Sequence, residues 1–341
     1  MKVLFIGGTG NISTAISRQL VDEGHELYLL NRGNRSKNVP SGAHVLIGDI
    51  HDEIAIAKLI ENQTYDVVAD FIAFTPEDVE RDFRLFNGKT SQYIVLSSAS
   101  AYQKPVANPF ANESTPLSNP YWQYSRDKAA SEVVLNAHYQ NDGFPITIVR
   151  PSHTYGDEAI PLGIHGKNGP WQVLKRIQEG KPVLIPGDGT TYWTVTYNAD
   201  FARAYIGLMG NPHAIGQAVQ IMGEERLTWN QIHEIIAAKL GVKLNPVHVP
   251  TDLLIKVEEK YGYNFTGELL GDKANTALFD TSKLKALVPG FVGTVRLDQA
   301  LDKIIPHFLS SPELQREDPD FDAFTDRVVA ALEAAEKLLL A

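Results

Sequence analysis

The stretch Lys2–Gly10, KVLFIGGTG, running on into Asn11–His25, NISTAISRQLVDEGH, decides the fold. Lys2 to Ile6 is a short, nearly continuous apolar run, the pattern of a parallel strand buried on both faces. Gly7, Gly8 and Gly10 follow, and Ile12, Ile16 and Leu20 then recur at helical spacing. A strand, a glycine turn and a helix in that order form an anion site. Without Cβ atoms the turn tightens, its amides can approach a diphosphate, and the helix N-terminus favours negative charge. Ser13 stands where a third glycine is usual, so helix and strand are expected to pack slightly farther apart.

Working outward, the alternation of strand and helix continues for about 150 residues. Glu26–Leu30 reads as a second strand and ends in NRGNR. An acidic residue at this point binds an adenosine ribose, whereas a basic one can accommodate a 2′-phosphate. Asn31, Arg32 and Arg35 offer no carboxylate, so NADP is expected in preference to NAD. His44–Ile47 is a third strand, followed by Asp49 and Ile50, where the carboxylate can either meet an adenine amino group or serve as a turn or cap residue. Asp66–Phe74 reads as the fourth strand, with Thr75, Pro76 and Glu77 opening a helix. Gln92–Leu96 is the fifth, with Ser97 and Ser98 at its carboxyl end, the edge where open parallel sheets bind ligands. Residues 103–123 read as an ordered loop over a cleft, and Ile146–Val149 is a sixth strand ending in RPSHTYG. The fold class is therefore α/β, a doubly wound parallel sheet of the Rossmann type.

Past Tyr155 the texture changes to short strands, Pro-bounded helices and loops. The expected division is a dinucleotide-binding domain at 1–155 with returning segments at about 182–222. A smaller mixed α/β substrate lobe takes 156–181 and 223–310, and a C-terminal helical tail takes 311–341. Asp200 sits in a helix first turn, where a carboxylate suits the dipole. Phe324, Val328, Leu332 and Leu339 in the tail are near helical spacing, facing the chain's own core or a second subunit.

The chain has 341 residues, 43% hydrophobic and 21% charged, with a net charge of −10 and no cysteine. Disulfides and thiolate metal sites are excluded, and no metal is expected. The charge argues against broad attraction to nucleic acid. The opening apolar run is too short for a signal peptide or membrane span, so a cytoplasmic protein without membrane contact is expected.

The chemistry concentrates at Tyr124–Lys128, YSRDK. On a helix, residues four apart share a face, so phenol and ammonium point the same way. An adjacent ammonium favours phenolate and lowers the phenol pKa, which makes Tyr124 an acid or base near neutrality.

Four motifs, GGTGNIS (7–13), SSASAY (97–102), YSRDK (124–128) and RPSHTYG (150–156), occur in an order and spacing that resemble the extended short-chain dehydrogenase/reductases, the group of nucleotide-sugar epimerases and dehydratases. The resemblance covers about residues 1–210. It implies that Ser98 bonds the reacting oxygen, Tyr124 moves the proton, and Lys128 holds the nicotinamide ribose and biases the phenol. Gly7, Gly10, Asn11 and Ile12 would surround the diphosphate, Asp49 and Ile50 the adenine, and Phe71, Ile72 and Ala73 the middle of the cofactor. Pro151 and Ser152 would lie near the nicotinamide. His153 would either face a small-molecule substrate or sit satisfied at a strand end. Homodimerisation through the helix bearing Tyr124 and its neighbour is also implied.

Two departures shape the expected activity. Trp193 stands where such enzymes usually carry an arginine that grips the substrate diphosphate, so Arg176 or Arg203 would have to do that work, or the substrate is not a nucleotide sugar. Ala99 and Ser100 replace the acid pair of dehydratases, which favours an NAD(P)-dependent epimerase or reductase acting on a sugar-like carbinol. The segment DVVADFIAF and the NRG turn look closer to a branch that includes chloroplast stem-loop-binding proteins. The alternative is therefore a non-catalytic RNA-binding or NADP-sensing regulator on the same fold.

Overall fold

The structure, a computed structural model, describes all 341 residues. Seven strands form one parallel sheet: β1 (Lys2–Ile6), β2 (Glu26–Asn31), β3 (His44–Ile47), β4 (Val67–Asp70), β5 (Tyr93–Leu96), β6 (Ile146–Pro151) and β7 (Gln217–Ile221). Their spatial order is β7-β6-β5-β4-β1-β2-β3, so the winding reverses between β1 and β4. Outside the carboxyl ends of such a pair the first loops diverge and leave a crevice.

Period-2 alternation in β1 splits the core between two faces. Val3 and Phe5 pack with Ile16 and Leu20 of α1 (Asn11–Asp22), while Leu4 and Ile6 point the other way, towards Ile56 of α2 (Glu53–Leu59), Val79 of α3 (Pro76–Phe86) and Leu135 of α4 (Gln123–Asp142). All four β1 residues are fully buried, as a strand covered on both sides requires.

Two elements differ from the sequence expectation. The fourth strand stops at Asp70 rather than Phe74, because the Asp70 carboxylate accepts hydrogen bonds from Ile72 N and Ala73 N and turns the chain away from the sheet. The seventh strand, QAVQI, was not anticipated. Gln220 breaks its apolar pattern, yet is fully buried because its amide is shared among Tyr102 Oη, Ala111 O and Asp280 O.

Beyond the large sheet lie three small ones. Tyr192–Tyr197 pairs with His153–Tyr155 in parallel and with Arg226–Thr228 antiparallel, Val183–Pro186 pairs with Pro246–Val249, and Phe110–Ala111 pairs with Leu278–Phe279. They share a separate core with α5 (Trp171–Gln178), α6 (Trp229–Lys239), α7 (Leu297–Ser310) and α8 (Pro319–Leu340). Phe321, Phe324, Val328 and Val329 place the C-terminal helix inside that core.

A buried ion pair seats α4 on the sheet. Glu132 accepts two bonds from Arg150 of β6, at 2.9 and 2.6 Å, and a third from Ser97 Oγ at the end of β5. Both charged side chains are about 95% buried. Removing one partner strands the other in a low-dielectric interior, so Glu132→Gln is expected to lower the unfolding free energy by about 3–5 kcal/mol in a urea titration.

Candidate active site

The crevice at the β1/β4 reversal is a cavity of about 640 Å³. Its floor is the glycine turn. Gly7 and Gly8 have φ of +99° and +85°, and a Cβ on Gly8 would stand 2.5 Å from Leu29 Cδ2, so the turn tolerates no side chain there. A Cβ on Gly10 would meet only Ser13 Oγ, at 3.6 Å, and the Gly10 amide donates to that hydroxyl at 2.9 Å. Ser13 is thus the capping partner of the α1 entry.

The walls bring together most of the expected cofactor residues. Gly7, Gly10, Asn11, Ile12, Asn31, Arg32, Arg35, Asp49, Ile50, Phe71 and Ile72 all line this cavity. Arg32 and Arg35 are exposed at its rim. Asn31 Oδ1 accepts from Gly33 N, while its buried Nδ2 has no partner in the chain. Asn11 is partly committed, donating to Thr154 O at 2.9 Å. Asp49 takes the turn role of the second alternative, its Oδ1 accepting from His51 N, and the cap of α2 is Asp52. Ala73 is off the wall: it is 2% exposed, and its carbonyl accepts from Lys128. A tight glycine turn at a helix N-terminus, arginines at the rim and an orphaned amide donor together fit a dinucleotide.

Ser98, Tyr124 and Lys128 meet where β5 ends and α4 begins. Lys128 Nζ donates to Ala73 O and Leu96 O, both at 2.6 Å, and stands 4.7 Å from the Phe74 ring centroid. Burial lowers its pKa to about 8, against the opposing pull of Asp70, Asp78 and Glu132. The Tyr124 phenol departs from expectation, since its pKa is raised rather than lowered. Burial is the main cause, Ser98 opposes it as a hydrogen-bond partner, and Asp272 reinforces it. The Lys128 ammonium is turned to two carbonyls, 5.7 Å from the Tyr124 ring, and does not offset burial. Behind Ser98 runs a chain of hydroxyls, with Ser98 Oγ and Ser125 Oγ each 2.8 Å from Ser100 Oγ.

A second cavity of about 320 Å³ opens onto Ser98 and Tyr124 of this set. Ser98, Tyr124, Pro151, Ser152, His153 and Trp193 all reach it. Burial and the neighbouring Lys273 push the His153 pKa down to about 3, so the imidazole is neutral. Trp193 is 2% exposed and stacks on Trp229 at 5.3 Å between centroids.

Neither candidate arginine comes here. Arg176, 1% exposed, donates to Pro182 O and pairs with Asp322 and Asp326, each at 2.6 Å, so it fastens α8 to the lobe. Arg203 is held by Asp200, Val292 O and Thr294 Oγ1. Asp200 in turn accepts from Thr294 N and Val295 N, which makes it a loop anchor rather than a helix cap. The cations the cavity does hold are Lys104 and Lys273, accompanied by Asp272. Sequence reasoning missed all three, because they arrive from a loop and from the segment Thr266–Lys273, which folds as a π-helix and lies far from the motifs.

Residues 3–221 match the profile of the NAD dependent epimerase/dehydratase family. The chain is 25% identical over 294 residues to 2′-dehydrokanamycin reductase of Streptomyces kanamyceticus, covering 85% of this chain and 80% of that protein. It is 28% identical over 255 residues to a chloroplast stem-loop binding protein of 41 kDa from Arabidopsis thaliana, covering 70% of this chain and 63% of that one. A solved UDP-glucuronic acid 4-epimerase from Bacillus cereus, in complex with NAD, superposes with a TM-score of 0.70 at 19% identity, covering 93% of this chain and all of the other. With the glycine turn at the sheet reversal and the profile spanning well over half the chain, this protein is a member of the NAD-dependent epimerase/dehydratase family of extended short-chain dehydrogenase/reductases.

Proposed function

We propose that this protein is an NADP-dependent oxidoreductase that interconverts a carbonyl and a carbinol on a sugar, with Tyr124 moving the proton. The observation that carries the reading is the meeting of Ser98, Tyr124 and Lys128 at the carboxyl end of β5, where Ser98 and Tyr124 line the smaller cavity and Leu96, whose carbonyl holds Lys128, lines the larger. When bound, the nicotinamide supplies the hydride donor or acceptor.

Each residue of the set has a distinct task. Because burial keeps the phenol protonated at neutral pH, Tyr124 is poised as a donor to a carbonyl oxygen, the reductive direction. Ser98 is placed to share that oxygen, and the Ser100 and Ser125 hydroxyls behind it can reorient as the proton moves. Lys128 is fixed by two carbonyls with one N–H direction left for a ribose hydroxyl. Gly7, Gly10 and Ile12 leave the backbone free to approach the diphosphate, and Pro151 and Ser152 flank the nicotinamide end. The aromatic wall at Trp193 and Trp122 suits the apolar face of a sugar ring and excludes water from the reacting carbon.

The rim arginines support NADP. Arg32 and Arg35 stand beyond β2, whose end carries no carboxylate, and a 2′-phosphate there would take a charge-assisted pair. The double variant Arg32→Ala/Arg35→Ala is expected to weaken NADP binding by roughly 10- to 100-fold while changing NAD binding little, read by fluorescence titration. An equal loss for both dinucleotides would reject the phosphate role.

The expected catalytic signature is a split between binding and turnover. Tyr124→Phe keeps the ring and its packing, so cofactor affinity should stay within about threefold while kcat falls at least about 100-fold. An unchanged rate would remove Tyr124 from the chemistry. The likeness to a stem-loop binding protein carries the competing reading, a non-catalytic RNA binder. Gel-shift titration of stem-loop RNA tests it, since phosphate contacts give a steep salt dependence.

A further inference from the structure

Three charged side chains at the inner wall of the smaller cavity have no hydrogen-bond partner in the chain, although Lys104 and Lys273 attract the Asp272 carboxylate through space. Lys104, Asp272 and Lys273 line it beside Tyr124, and none of them enters an ion pair or a side-chain hydrogen bond. Lys273 is 8% exposed. Burying a charge without a partner is costly, and a fold retains such groups where something else supplies the partner.

Their backbone is held firmly, so the exposure of these charges to the cavity is built in. Asp272 and Lys273 end the π-helical turn Thr266–Lys273, an arrangement that is rare and concentrated at functional sites. Asn119 Nδ2 pins this turn by bonding Gly271 O and Ser100 O, both at 2.7 Å, and Trp229 Nε1 bonds Lys273 O at 2.9 Å. Gly267 lets the turn lie flat on Trp122, because a Cβ there would stand 2.5 Å from the indole Cδ1. The two side chains therefore leave a fixed scaffold towards Tyr124 on one side and His153 on the other.

We propose that Lys104, Asp272 and Lys273 form the substrate-recognition set of this cavity, and that the ammonium groups take an acidic substituent, carboxylate or phosphate, on a single sugar ring. The inference rests on the sugar-carbinol reading above and narrows it. Two ammonium groups and one carboxylate leave the lining positive, and Trp193 offers no charge where an anion would otherwise be gripped. Asp272 takes a ring hydroxyl as donor. The volume, about 320 Å³, is at the small end for ligand sites and suits one ring against Trp122, Trp193 and Phe279.

The stability of Asp272 variants separates a ligand site from a structural one. Burial raises the Asp272 pKa to about 6, with Lys104 and Lys273 pulling it down and Glu268 pushing it up, and the Tyr124 phenol also faces it. A folded-state pKa above the unfolded value of about 3.9 means that ionisation opposes folding. The penalty is absent below pH 4, grows between 4 and 6, and is complete above 6. Asp272→Asn should therefore melt higher than the parent at pH 7.5 and at the same temperature at pH 3.5.

The test is calorimetric titration of the protein saturated with NADP, using glucose, glucosamine, glucuronate, glucose 6-phosphate and UDP-glucose. At least one acidic monosaccharide should bind about tenfold or more tighter than glucose and glucosamine, and whichever of glucuronate and glucose 6-phosphate does so identifies the acidic group. Lys104→Gln and Lys273→Gln should each lose about tenfold or more of that affinity without changing glucose binding. Equal binding of all monosaccharides, a preference for glucosamine or UDP-glucose, or a lower melting point of Asp272→Asn at pH 7.5 would each overturn the proposal. Acidic-sugar binding that survives in Tyr124→Phe, with no nicotinamide absorbance change in the parent protein, would leave this inference standing and defeat the proposed redox function.

Discussion

The constraint on which the site depends is the burial of one ammonium group at the carboxyl edge of a parallel sheet. Lys128 Nζ bridges Ala73 O, beyond β4, and Leu96 O, at the end of β5, so a helix side chain reads the spacing of two strand ends. That geometry requires α4 to enter at one height and one rotation. The Glu132–Arg150 pair one turn farther along supplies the second fixed point, and together they define the helix line on which Tyr124 sits. A site assembled on rigid elements in this way spends little of its binding energy on ordering itself.

The Asp70 turn has the same economy. Its carboxylate ends β4, directs Phe71 and Ile72 to the larger cavity, and presents the Ala73 carbonyl to Lys128. Arg81, bonded at once to Asp70, Asp78 and Asp82, neutralises part of the charge so created, and Tyr93 Oη closes the network on Asp82. The larger cavity and the Ser98, Tyr124 and Lys128 cluster are thus coupled through a few buried polar atoms.

Much of this was legible in the sequence because it is local. The strand, glycine turn and helix at 2–22, the alternation to residue 150 and the Tyr124/Lys128 pair on one helix face all follow from short-range pattern. What stayed hidden depends on long-range burial. A Gln-containing strand gives no apolar signal when its amide is satisfied by Tyr102 and Asp280, residues distant in sequence. Arg176 looks like any free cation until Asp322 and Asp326 arrive about 150 residues later. The direction of the Tyr124 shift was misjudged for a related reason: i, i+4 spacing shows that an ammonium is near, but not that two carbonyls hold it turned away.

The ordering of the three cores along the chain has a consequence for biosynthesis. The face of the sheet that packs α2, α3 and α4 is built almost wholly from residues 4–148, so it can close while the ribosome is still at work. The opposite face waits for Phe201, Tyr205 and Val219, and then for Leu284 and Phe291. The lobe core is completed only by Phe321 to Val329, about a hundred residues after Val219. A nascent chain therefore carries one face of its sheet only partly covered until Phe201, Tyr205 and Val219 have been made, and a chaperone that recognises exposed apolar strands would have its window there.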